Sequence, residues 1–287
     1  MVRRGPTEFR IGTSGWRYPH WRNNFYPPGL AQKNELAYLA EHFNTVELNG
    51  SFYSLQRPSS YRRWRQETPD GFVFAVKGGK FITHNKKLRD VAPPLANFFA
   101  SGPLALGERL GPFLWQLPPA LRFDAERMEE FFELLPGDVG AAVELAAKAE
   151  ERVISRFKAE PGAAPDLLGP DTALRHAIEV RHPSFEVESF YDLCRRFGIA
   201  IVLADSAGRF PVIDQSTAEF SYIRLHGSQQ LYSSRYTDEE IRLWAERIGR
   251  ASGSGTYYVY FDNDFESNAA FDARRLIQSL PSTSDVA

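Results

Sequence analysis

The segment TVELNG, residues 45–50, sets an acid and an amide two positions apart among strand-forming residues. Side chains alternate along a strand, so Val46 and Leu48 share one face while Glu47 and Asn49 share the other. The pattern recurs. In FVFAVKG, Phe72, Phe74 and Val76 alternate with Val73, Ala75 and Lys77. In HAIEVRH, Ile178 and Val180 alternate with Ala177, Glu179 and Arg181. In FSYIRLHG, Ile223 and Leu225 alternate with Tyr222, Arg224 and His226. IAIVLAD ends on Asp205, GPFLWQLP carries Gln116, and TYYVYFDND ends in Asp262, Asn263 and Asp264.

Guanidinium forks and ammonium groups match phosphate or carboxylate oxygens. Lys77, Arg181 and Arg224 are therefore candidate ligand-binding cations, with Asn49, Gln116, Asp205 and Asn263 as further polar contacts. Glu47 and Glu179 are candidate general acid and base, and His226 a third titrating group. Aromatic residues near the strand ends, Trp16, Tyr18, Trp21, Phe52 and Tyr53, would stack on a base or sugar or simply pack the core. This combination predicts a hydrolase acting on a phosphodiester, nucleotide or nucleic-acid fragment. One alternative is a glycoside hydrolase with Glu47 and Glu179 as paired carboxyls, but nearby cations would keep its acid ionised. Another is a non-catalytic barrel that binds a small anion or nucleic acid. Glu47, Glu179, Asp205 and His226 are legitimate metal ligands. Interleaved Lys and Arg oppose a dication, and no H-x-H, HExxH or cysteine cluster occurs, so a divalent metal is the disfavoured alternative and no cofactor is predicted. His84 and His182 read as loop histidines bonded to backbone.

A competing reading is a closed internal ion-pair network, with Glu47, Glu179 and Asp205 neutralising Lys77, Arg181 and Arg224. Buried charges need partners in any case. Apolar packing often stabilises equally well, so the number of charges favours a functional site.

These residues must be positioned by a framework of alternating strands and helices. Eight strands are expected, starting near residues 9, 45, 72, 111, 176, 199, 220 and 256. Helices are expected at NELAYLAEHF, SSYRRWRQE (with a serine cap), DAERMEEFFELL, VESFYDLCRRFG, TDEEIRLWAERIGR and NAAFDARRLIQSL. The stretch from Val143 to Glu160 reads as a short strand and helix or as helix alone. Only SAGRFPVIDQSTAE, between the sixth and seventh strands, lacks an obvious long helix. Eight alternating units and 287 residues predict an α/β fold, a TIM-like (β/α)8 barrel, whose active sites gather at the C-terminal strand ends. An open doubly wound sheet is the alternative, but GTSGW is not its G-x-G-x-x-G phosphate turn. One domain over residues 1–280 and a frayed tail at 281–287 are expected, with Pro/Gly loops at 161–171 and 251–255.

The formal net charge is −2, so any nucleic-acid footprint must be local. The single cysteine, Cys194, excludes an internal disulfide framework and reads as a small buried hydrophobe. No apolar run fits a signal peptide or a membrane span, and a cytoplasmic protein with no membrane partner is expected.

The stretches IGTSGWRYPHW, FYPPG, TVELNGSFYSL, TPDGFVFAVKGGKFITHNKKL, LGPFLWQLPP, AIEVRHPSF, ADSAGRFP, YIRLHG and YVYFDND resemble the DUF72, or YecE-like, family in order and over almost the whole chain. The resemblance implies a TIM-like barrel and no particular reaction. The family's ending resembles FNND followed by a glycine and an Asn-Ala pair. Here Asp262 replaces the first asparagine, Ser267 the glycine, and Asp272 the asparagine before Ala273.

Overall fold

The computed structural model describes residues 7–159, 168–249 and 255–280. The expected loops at 161–171 and 251–255 fall largely outside this range, and the tail at 281–287 wholly outside it.

The strands are β1 (Glu8–Ser14), β2 (Thr45–Leu48), β3 (Val73–Lys77), β4 (Leu110–Gln116), β5 (His176–Glu179), β6 (Ala200–Ile201), β7 (Leu203–Asp205), β8 (Phe220–Leu225) and β9 (Thr256–Phe261). All neighbouring pairs are parallel, in the order β6-β5-β4-β3-β2-β1-β9-β8-β7. The two ends of that order are halves of one segment, separated by Val202 alone. Its first half pairs with β5 and its second with β8, so the sheet closes into a barrel through residues 200–205. The expected sixth strand is thus divided between two neighbours. No helix lies between Asp205 and Phe220, which leaves that connection as irregular chain.

Alternation sorts the strand residues into two buried layers. Val46, Leu48, Phe74, Val76, Ile178, Ile223 and Leu225 pack outward, against the surrounding helices. Ala75, Leu114, Ala177, Ala200, Tyr222, Tyr258 and Tyr260 fill the lumen. The β3–β4 register shifts between Phe74 and Val76, opposite Gly111 and Pro112. Proline has no N–H to give the ladder, and the irregularity sits where it interrupts the bonding.

The helices depart from expectation in detail. Helix Pro58–Gln66 starts at its proline, with Arg57 and not Ser59 at the cap, and no side chain bonds the first turn. Proline fits the first helical position because its missing N–H is unpaired there anyway. Asp124 does cap helix Ala125–Glu133, accepting from the Arg127 amide. The stretch after Val139 holds two helices, Val139–Ala146 and Glu151–Phe157, and no strand among the described residues. Cys194 is buried in helix Glu188–Phe197, where burial pushes its thiol pKa up. Among the described residues no helix is long and apolar enough to cross a membrane.

Gly12 marks the closest approach of β1 to β2. A Cβ there would lie 2.0 Å from the Thr45 carbonyl oxygen, which is backbone and cannot swing away. Gly12→Ala is expected to cost at least about 2 kcal/mol in urea denaturation, because the two strands must separate. Gly137→Ala, where a Cβ meets nothing within 4 Å, is the control and should be near neutral.

Candidate functional site

Arg224 lies on the lumen face of β8 and is fully buried. Its Nε donates to Glu47 Oε2 at 3.1 Å. Its Nη2 donates to Glu47 Oε1 at 2.8 Å, Ser14 Oγ at 2.9 Å and Asp262 Oδ2 at 3.1 Å. Its Nη1 donates to Glu179 Oε2 at 2.6 Å, with Gln116 Oε1 farther off at 3.5 Å. One guanidinium therefore ties β1, β2, β4, β5 and the end of β9 to β8. Glu47 also accepts from Ser14 Oγ at 2.6 Å and from the Tyr222 hydroxyl at 2.7 Å. Glu179 Oε1 accepts from Arg181 Nε at 2.7 Å.

Burial alone would disfavour these charges, yet their mutual attraction prevails. The Arg224 pKa is raised because Glu47, Asp262 and Glu179 outweigh its desolvation. Burial pushes the Glu179 carboxyl up, but Arg181 and Arg224 bring it well below the usual carboxylate range. Asp262 is likewise depressed against its burial, chiefly by Arg224 and by His226. His226 donates through Nδ1 to Asp262 Oδ2 at 2.9 Å. Its Nε2 lies 3.6 Å from Glu179 Oε1 and has no hydrogen-bond partner among the described residues.

A cavity of about 730 Å³ opens above this layer, at the C-terminal ends of the strands. Lys77, Arg181, Gln116, Asn49, Asp262 and Asp264 contribute its polar wall, with Arg17 and Lys80 also lining it. Trp16, Tyr18, Phe52, Tyr53, Trp64, Tyr232 and His84 contribute its rings. Its size is that of a small-molecule site. Lys77 is 8% exposed, and its Nζ sits 4.6 Å over the Phe52 ring. No ion pair or side-chain hydrogen bond holds that ammonium among the described residues. Burial, and then the nearby Arg224 charge, lower its pKa to about 8 against the opposing pull of Glu47, Asp262 and Glu179. Asp264 shows the opposite shift: burial and the neighbouring Asp262 raise its pKa to about 6. Burial lowers the His84 pKa to about 4, helped by Lys77 and Arg181, so this ring is neutral near pH 7.

The structure thus brings Asn49, Lys77, Gln116 and Arg181 to one cavity and sets Glu47, Glu179 and His226 directly beneath it. Arg224, expected to contact a ligand, is instead enclosed by its partners and does not line the cavity. Asp205 turns away and accepts from the Tyr236 hydroxyl at 3.0 Å. Asn263 also lies elsewhere, donating to the Ser234 carbonyl and to Asp272 Oδ2, both at 2.9 Å. Trp21 is fully buried, its Nε1 bonded to the Asp264 carbonyl. His182 does accept from a backbone amide, that of Ser184, but His84 faces the cavity. The sequence reading named Asp262 and Asp264 as polar residues at a strand end without giving them a role, and missed Ser14, Tyr232 and Trp64. Among the described residues no group of three or more His, Cys, Asp or Glu side chains is arranged to hold a metal ion.

Eight strand segments closed around a charged layer, with a ring-walled cavity at their C-terminal ends, define a TIM-like βα-barrel protein. The chain belongs to the family described as "Protein of unknown function DUF72", whose model matches residues 10–286. It is 26% identical over 257 residues to the UPF0759 protein YecE of Escherichia coli (strain K12), spanning 87% of this chain and 84% of that one. A solved DUF72 family protein from Thermotoga maritima superposes with a TM-score of 0.75 at 25% identity, covering 94% of this chain and 98% of the other. A second, from Enterococcus faecalis V583, gives 0.68 at 16% identity over 95% of each chain and attests the fold alone.

Proposed function

We propose that the mouth cavity binds a small phosphate-containing substrate with a flat ring and hydrolyses its phosphoester. The observation that carries this reading is Lys77, a buried ammonium with no carboxylate of its own, beside Arg181 on a wall otherwise rich in rings. The carboxylates Glu47, Asp262 and Glu179 beneath it offset its burial only in part, so an anionic occupant supplies what the fold withholds. Rings such as Tyr53, 78% exposed, offer stacking faces for a base. Asp264, ionised above about pH 6, is the group suited to take a proton from attacking water. Glu47, Glu179 and His226 act from beneath by fixing Arg224, Arg181 and Asp262. A glycosidase needs one protonated carboxyl of its pair, and Glu179 is held ionised, which favours the phosphate reading. No metal is assigned to the reaction.

The test is calorimetric titration with inorganic phosphate, followed by turnover of phosphomonoesters, phosphodiesters and nucleotides with and without EDTA. Micromolar to millimolar phosphate binding and a bell-shaped kcat/KM are expected. Its acidic limb should fall near pH 6 as Asp264 protonates, and its basic limb near pH 8 as Lys77 loses its charge. Binding without turnover of any ester would make the barrel a binding protein, and no phosphate binding would end the reading.

A further inference from the structure

We propose that Lys77 is a nucleophilic amine that forms an imine with the carbonyl group of an anionic aldehyde or ketone held in the mouth cavity. The chain has seven lysines, and Lys77 alone among them is buried. Its stem is fixed at the end of β3, where Ser51 Oγ donates to the Lys77 carbonyl at 2.6 Å. The next residue, Gly78, lies flat on Trp115: a Cβ there would meet that ring at 2.3 Å. The strand end is thus pinned on both sides, and the amine is held against Phe52 at the edge of open space. Burial beside the Phe52 ring and the Arg224 charge outweigh the opposing carboxylates Glu47, Asp262 and Glu179, and a desolvated lysine near another cation is the arrangement that makes an amine nucleophilic at neutral pH. About one tenth of an amine titrating near 8 is neutral at pH 7, against fewer than about one in a thousand of ordinary lysines.

The reaction balances without any redox partner. The nitrogen lone pair attacks the carbonyl carbon, the carbon–nitrogen bond forms, and the carbonyl π pair moves to oxygen. One proton passes from nitrogen to that oxygen to give the carbinolamine. A second proton, supplied by a cavity acid for which Asp264 is suited, lets the carbon–oxygen bond break and water leave. The product is a protonated imine on Lys77, and the acid regains its proton from solvent.

The inference rests on the proposed phosphate site only for the anionic group of the ligand, which Arg181 holds while the neutral Lys77 amine meets the carbonyl, and the test separates the two. The protein is incubated with pyridoxal 5′-phosphate or with phosphate-free pyridoxal, reduced with sodium borohydride, and mapped by peptide mass spectrometry. Lys77 is expected to be labelled at least about tenfold faster than any of the other six lysines. Inorganic phosphate should protect it, and Lys77→Arg, which keeps the charge, should remove that label alone. Labelling of Lys77 no faster than the exposed Lys33 or Lys148 would overturn the inference, even where calorimetry finds phosphate bound. Equal, selective labelling of Lys77 by both aldehydes without phosphate protection would uphold the imine chemistry and refute the phosphate site.

Discussion

Arg224→Met is expected to destabilise the protein by about 5 kcal/mol or more at pH 7, the largest effect of any single substitution considered. Breaking one buried ion pair costs about 3–5 kcal/mol, because the remaining charge stays desolvated and alone. Here one truncation takes the guanidinium from three carboxylates at once, leaving Glu47 without a cation, Glu179 with Arg181 alone and Asp262 with His226 alone. The pH dependence should weaken. In the parent, Glu179 and Asp262 have depressed pKa values, so their contribution is present above the ordinary carboxylate range and is lost as pH falls through the folded values. Without the arginine, burial opposes the ionisation of these carboxyls with only Arg181 and His226 to offset it, and mild acid should cost the variant less than it costs the parent. Urea denaturation at pH 7 and pH 5 decides the matter. Should the methionine variant not fold at pH 7, Arg224→Lys keeps one charge without the fork and should show an intermediate loss. A cost below about 1 kcal/mol for either would mean that the charged layer does not organise the barrel.

Lys77→Met is expected to move stability and binding in opposite directions. Methionine has a similar length and volume and removes a desolvated charge. The folded protein should gain about 2 kcal/mol, in line with the lowered pKa and with the usual trade between site and stability. Phosphate affinity should fall about 10- to 100-fold, the worth of one charge-assisted contact. The two readouts together are diagnostic. Loss of stability would show that Lys77 is a structural cation balancing the acids below it, whereas a gain accompanied by lost binding marks it as a group kept for a ligand.

Much of this site was legible in the sequence because barrel strands alternate strictly between lumen and helix layer. Glu47, Lys77, Gln116, Glu179, Arg224 and His226 all face inward as their spacing predicts. Where the reading failed, it failed by abandoning that period. Tyr258 and Tyr260 face the lumen, so Asp262 must follow them and Asn263 must turn outward. Taking FDND as a polar unit obscured this. Ala204 faces inward for the same reason, which sends Asp205 toward Tyr236. Periodicity has nothing to say about height in the barrel, and this is why Arg224 was expected at the ligand when it lies a layer beneath it. Nor could it find Tyr232 or give Asp264 a role, since both reach the cavity from loops. The departures from the family's ending have visible accommodations. Ser267, standing where that ending has glycine, takes a left-handed φ of 67°, and Asp272 accepts from the Tyr236 amide and Asn263. A left-handed non-glycine residue carries a cost of about 1–2 kcal/mol, which this loop retains.

The charged layer also has a consequence for how the chain acquires its structure. Arg224 lies 177 residues from Glu47 and 45 from Glu179, and Asp262 follows it by another 38. The set is therefore incomplete until Asp262 has been made. A nascent barrel lacking its last strand would hold a buried arginine and histidine without their final carboxylate. Such long-range closure makes half-barrels poor intermediates and slows folding relative to locally connected helices. Synthesis of β9 and Asp262 is then the event that commits the whole barrel, and fragments ending before Asp262 should remain loosely folded and prone to aggregate.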